Sequence, residues 1–314
     1  MMAFEAAKKS WPGKIREVTL GGRITVGGEE ALPFHHFEGR IPNRPVIALE
    51  VPDRNPEDWI DLAREPYQDV LDDPVAWAKK AVDEYGADLL CLNLRGAHPD
   101  RGNRSAEDCA SFVRTILETS DVPLIIKGPG PSARQNEVLQ KCAEAAEGRE
   151  CLLASALEDH YQTLVAAAQA YGHSIVAESP IDVNMAKQLN ILITEMNFPP
   201  ERIVIDPLTG GLGYGLEYTY SVMERIRLAA LGGDAMLQMP MICFVGEETW
   251  RVKEAKTSSE EEPGWGEQRS RAILWEVATA VPLLASGAAI LVMRHPEAAG
   301  TVKDAIGELM GGGS

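Results

Sequence analysis

From Val46 onward, short unbroken apolar runs return along the chain at 46–51, 89–93, 124–127, 151–154, 174–177, 203–205, 241–245 and 289–293. Runs of this length without polar alternation suit strands covered on both faces, as in a parallel sheet. The segments between them change to a helical period. Ser105 and Asp108 form a capping pair ahead of a stripe of Phe112, Val113, Ile116 and Leu117. Asp182 opens a helix with Ala186, Leu189, Ile193 and Met196 on one side, and Pro296 opens the last, with Val302, Ile306 and Leu309. Further helices are expected over 74–85, 133–147, 158–171, 217–232 and 267–286.

Eight strands, each followed by a helix, over about 260 residues satisfy a TIM (β/α)8 barrel. A doubly wound sheet is the second choice, since it usually has fewer strands and needs a switch point. Before the barrel, 17–20 and 23–26 are two β-runs flanking Gly21-Gly22, the signature of a hairpin lying outside the barrel. The organisation is therefore an α/β chain with an N-terminal hairpin extension over 1–45, a barrel over 46–310 and a flexible tail over 311–314. Two strand-to-helix loops are long: 52–73, with Trp59 and Tyr67, and 246–266, with Trp250 and Trp265. They are either a lid or partner surface, or solvated decoration.

Of the 314 residues, 47 are acidic and 30 basic, a formal net charge of −17. That balance argues against nucleic acid or an anionic membrane surface as partner. The uncharged stretch 277–293 reads as a buried helix and strand broken by Ser286-Gly287, not a membrane span. The N-terminus lacks the basic-then-apolar layout of a secretory leader. The five cysteines are odd in number and form no CxxC, so they read as core residues of a cytoplasmic protein, without a zinc or iron–sulfur site in this chain.

In a barrel the ligand face is built at the carboxyl ends of the strands. Those ends carry Glu50, Asn93, Arg95, Ser155, Glu178, Ser179, Asp206, Arg294 and His295. No nucleophile elbow, HExxH or P-loop is present, so no catalytic residue is assigned. The candidate cofactor-binding residues are Asn93, Ser179, Asn184, Asp206, Arg294 and His295, with Gly210, Gly211 and Gly213. These glycines belong to a loop with four glycines over 210–215, where backbone N–H groups can approach a ligand closely. The alternative for that loop is a tight turn. For His295 it is a helix cap; Asp182 reads as a helix cap by default, with ligand contact by Asn184 as the alternative there. The adjacent His35 and His36 diverge and do not suit one metal.

Several longer strings carry a resemblance. Ala31-Leu-Pro-Phe-His-His-Phe-Glu-Gly39, Lys187-Gln-Leu-Asn-Ile-Leu-Ile193, Ile205-Asp-Pro-Leu-Thr-Gly-Gly-Leu-Gly-Tyr-Gly215, Met223-Glu-Arg-Ile-Arg-Leu228 and Leu291-Val-Met-Arg-His-Pro-Glu297 resemble the small (delta) subunit of the corrinoid iron–sulfur protein of the acetyl-CoA decarbonylase/synthase system. The resemblance spans nearly the whole chain. It implies a TIM barrel paired with a large (gamma) subunit that houses a [4Fe–4S] cluster, with cobalamin between the two. It further implies a methyl group carried on cobalt from a methyltetrahydrofolate-type donor to acetyl-CoA synthase, with a methyltransferase and that synthase as transient partners in the reductive acetyl-CoA (Wood–Ljungdahl) pathway. A pterin-dependent methyltransferase of TIM-barrel type is the alternative.

Overall fold

A computed structural model describes residues 10–130 and 133–311. Hairpin strands β1 (Val18–Leu20) and β2 (Ile24–Val26) pair antiparallel through Gly21 and Gly22, both at positive φ. The barrel strands are β3 (Val46–Pro52), β4 (Leu89–Asn93), β5 (Leu124–Lys127), β6 (Leu152–Ala156), β7 (Ser174–Glu178), β8 (Ile203–Asp206), β9 (Met241–Cys243) and β10 (Ala288–Met293). They are parallel and in sequence order, and β10 returns to pair with β3, closing the barrel.

The apolar side chains of the barrel strands divide between two cores. Val46, Ala48, Leu89, Cys91, Ile125, Leu152, Val176, Val204, Ile242 and Val292 alternate into the barrel interior. Their neighbours face the helices in a larger outer core. Val18, Leu20 and Val26 of the hairpin join the interior set. The hairpin therefore lies across the N-terminal end of the barrel and stoppers it. Gly21 N–H donates to the Glu150 carbonyl at 3.1 Å and Arg16 pairs with Glu201 at 2.6 Å, each partner lying just ahead of a strand. The extension is also tied in by buried Arg227, which donates to the Gly287 carbonyl at 2.7 Å and lies 3.4 Å from Glu29.

One expectation needs correction. The strand expected over 241–245 stops at Cys243, because the Phe244 N–H is taken by Thr209 Oγ1 at 2.9 Å and Val245–Thr249 turns into a helix. The long loops contain short helical turns, and Trp59, Tyr67 and Trp250 are buried, so these parts are fastened to the barrel. Trp265 alone of that group stays exposed. The uncharged stretch is helix Gln268–Ala285 followed by β10, and no helix among the described residues is long and apolar enough to cross a membrane. All five cysteines are buried free thiols. Most of the proposed tail, and residues 1–9 of the extension, lie outside the described residues.

Candidate functional site

Inside the barrel the inward positions change from apolar to polar at the C-terminal end. Following the interior alternation one step past Val292, Ala48, Cys91, Ile125, Val176 and Val204 leads to Arg294, Glu50, Asn93, Lys127, Glu178 and Asp206. In strand order, Arg294 of the β10 end, Glu50, Asn93 and Lys127 make one side of a ring, and Glu178 and Asp206 the other. Ala154 and Phe244 complete it on β6 and after β9.

On the first side Arg294 and Asn93 both bond to Glu50. Arg294 Nε donates to Glu50 at 2.6 Å, and both are almost fully buried. Asn93 Nδ2 donates to the same carboxylate at 2.6 Å, and the Arg294 guanidinium lies 4.1 Å from the centre of the Trp59 ring. Lys127 pairs with Glu247 and sits 4.2 Å over the Phe244 ring. Burial works against the Lys127 charge, but Glu247 outweighs it and raises the ammonium's pKa; the Lys127 charge in turn holds the Glu247 carboxyl down to about 2. Lys127 is thus a fixed cation rather than a nucleophile.

The other side is not satisfied. Glu178 and Asp206 are register partners on β7 and β8. Asp206 is 2% exposed and accepts one hydrogen bond, from Leu208 N–H at 2.9 Å. Burial, followed by the Glu178 charge, raises its carboxyl well above the ordinary range. Both acids open onto a cavity of about 270 Å³ that also meets Lys127, Ser155 and Glu247. It forms where Gly128 and Ala154 leave the ring thin. Leu208, Leu157 and Glu178 also border a second cavity of about 240 Å³ that reaches Ser179 and Met185. Leu208 is 39% exposed at φ +66°, and Ile181 on the neighbouring loop has φ +47°. A β-branched residue and a leucine in the left-handed region are costly, and such outliers gather at functional sites.

The sequence-named residues fall into three groups. Asp206 lines the first cavity, and Ser179 the second, where its buried Oγ has no hydrogen-bond partner among the described residues. Asn184 is exposed on the first turn of helix Val183–Glu195, beside Met185. Asn93 and Arg294 meet through Glu50. The glycine loop and His295 stand apart from the cavities. Gly210 N–H donates to Thr219 at 2.8 Å and Leu212 N–H to Thr279 at 3.3 Å, so 210–215 packs against two helices, and of its neighbours Leu208 and Thr209 reach the mouth. His295 caps helix Pro296–Met310, stacks on Trp250, and is pushed by burial to a pKa of about 4. Asp182 likewise caps its helix.

Sequence reasoning passed over Lys127, Glu247 and Leu208. A lysine ending an apolar strand was a visible signal for the first; the loop position of Glu247 and the backbone of Leu208 left none. Glu276 was missed for the same reason, being mid-helix. It is fully buried, accepts from Trp250 Nε1 at 2.7 Å, Arg294 N–H at 2.7 Å and His295 N–H at 3.2 Å, and burial raises it to about 7.

Comparison with known structures bears on the barrel. Dihydropteroate synthase from Xanthomonas albilineans, solved with 4-aminobenzoic acid, superposes with a TM-score of 0.59 at 16% identity, over 95% of this chain and 98% of that one. The Yersinia pestis enzyme with a pterine-sulfa conjugate gives 0.59 at 12% identity, over 95% and 99%. Identities this low establish the shared fold alone. Sequence comparison reaches further. The acetyl-CoA decarbonylase/synthase complex subunit delta of Archaeoglobus fulgidus is 36% identical, over 98% of this chain and 71% of its own length. That of Methanothermobacter thermautotrophicus is 38% identical, over 97% and 78%. The family model of the CO dehydrogenase/acetyl-CoA synthase delta subunit matches residues 17–301, from the hairpin into the last helix, and with these relatives it makes the chain a member of that family.

Proposed function

We propose that this chain is the barrel half of a methyl-carrying pair in the cytoplasm, holding a corrinoid (cobalamin) against its C-terminal mouth and completed by a large subunit that houses the [4Fe–4S] cluster. Methyltransferase and acetyl-CoA synthase are its transient partners. When bound, the corrinoid supplies a cobalt centre that takes and gives up a methyl group. The extension over 1–45 contributes the stopper hairpin, Val18–Val26, ahead of a barrel over 46–310.

The single observation that carries this reading is the form of the mouth. It offers Leu208 and Met185 as exposed apolar contacts beside two small cavities of about 270 and 240 Å³. Such cavities are smaller than a drug-sized pocket, so a macrocycle lies over them and sends only its substituents in. Asp206, Ser179 and Asn184 supply polar contacts around that surface. Asn93 and Arg294 hold Glu50, and through it the far rim. Gly210, Gly211 and Gly213 shape the loop that presents Leu208, and His295 with Glu276 fastens the loop over 246–266. The pairing of Lys127 with Glu247 keeps charge inside the mouth balanced, and the covered surface keeps water away.

One observation favours the alternative, a pterin-dependent methyltransferase: Asp206 has an uncommitted oxygen deep in a barrel mouth. The deciding experiment is expression with and without the large subunit, followed by cobalt, iron and absorbance measurements. The lone chain is expected to be colourless, and the pair to hold corrinoid across an interface on the order of 2,000 Å² or more. Stoichiometric corrinoid or iron in the lone chain overturns the division of labour. Methyl transfer by the lone chain from a pterin donor installs the alternative.

A further inference from the structure

The first cavity has a chemistry of its own, separable from the surface around it. Its acid side consists of two inward carboxyls from neighbouring strands, held in register by the β7–β8 ladder. Glu178 makes no hydrogen bond or ion pair with any described residue, and Asp206 uses one oxygen, on Leu208 N–H. A nearly fully buried carboxyl with an oxygen left over is costly unless something donates to it. Across the cavity Lys127 has one ion-pair partner among the described residues, Glu247, and an ammonium has three N–H donors. Ser155 and Thr209 add polar surface, while Phe244 and Leu208 supply apolar walls.

We infer that this cavity is a subsite for a planar amide-type edge, in which adjacent N–H groups donate to Asp206 and Glu178 and a carbonyl faces Lys127. The inference rests on the proposed corrinoid role for one of its two sources. Corrin rings carry primary carboxamide arms, and an arm of that kind presents an N–H pair and a carbonyl in one plane. The lactam and amidine edge of a pterin presents the same atoms. A cavity of about 270 Å³ admits either and excludes the corrin ring. A bound anion would have met Glu178 and Glu247.

The test uses the full chain, alone and with its large subunit, and two probes: dicyanocobinamide, which keeps the carboxamide arms but lacks the nucleotide tail, and 5-methyltetrahydrofolate. Binding is read by calorimetry for the parent, Asp206→Asn and Glu178→Gln, with thermal melting to confirm the fold. Loss of tenfold or more in cobinamide affinity in both variants supports the subsite with the corrin arm as its occupant. The same loss for the folate, with cobinamide unchanged, supports the subsite with a pterin as its occupant. Parent-like affinity for both probes, within twofold in both folded variants, overturns it. If the parent binds folate but no corrinoid in either form, the proposed carrier role fails, and the folate measurements alone decide the subsite. If it binds neither, both fail.

Discussion

Glu178 and Asp206 sit side by side on parallel strands, in register, and turn both carboxyls into one cavity. Two acids so placed oppose each other's ionisation, and the more buried one yields. This has a measurable consequence for stability. A carboxyl raised in the folded state costs stability as the pH climbs from its unfolded value through its folded one. Asp206→Asn removes that cost and keeps the acceptor for Leu208 N–H. The variant is expected to be more stable than the parent at pH 8, with the gain shrinking toward pH 4. Denaturant melts at the two pH values check it; a destabilised variant at pH 8 contradicts it.

Glu276 gives a second pH dependence with the same sign. Burial lifts it from an ordinary carboxyl to about 7, so the fold holds a proton that the unfolded chain releases at lower pH. Its contribution is present at low pH and is lost as the pH rises from about 4.5 to about 7, on the order of 3 kcal/mol. Glu276→Gln flattens stability over that window. It also costs about 1–3 kcal/mol at every pH, because one of three donors loses its acceptor. A slope that persists in the variant assigns the titration elsewhere.

Glu50 and Arg294 form a buried ion pair that Asn93 completes. Arg294→Met leaves the Glu50 charge behind and is expected to cost about 3–5 kcal/mol. Adding Glu50→Gln is expected to return a large part of that loss. Equal stability of the single and double variants would show that the pair is not coupled.

Leu208 holds a left-handed backbone and is 39% exposed, so it stabilises the isolated chain little. Leu208→Gly is expected to raise stability by about 1 kcal/mol through relief of that backbone while weakening corrinoid retention in the assembled pair. A less stable variant would mean that the leucine packs more than its exposure indicates.

The barrel itself was legible because its strands are unbroken apolar runs whose ends are marked by caps and glycines: Ser105, Asp182 and Gly287 all act as read. The hairpin was equally plain from Gly21-Gly22. What sequence withheld was direction. Whether Glu50 or Val51 points inward depends on one step of alternation, and only the closed barrel shows that Lys127, Glu178 and Asp206 share a ring. The glycine loop drew notice for its composition, whereas the residue it presents, Leu208, carries no local signal. His295 read as a strand-end polar group, yet its ring turns to Trp250.

The stopper hairpin also sets an order of events. Its apolar residues join one interior cluster with Val46 of β3 and Ala289, Ile290 and Val292 of β10, so that cluster is complete only after the final strand has been made and has closed on the first. During synthesis the N-terminal segments emerge first, and here the earliest β-element must wait, its apolar face uncovered, until nearly the entire chain has left the ribosome. Such long-range closure slows folding. For this chain, truncation or pausing before β10 leaves two sticky surfaces rather than one, the hairpin and the open floor it was made to cover.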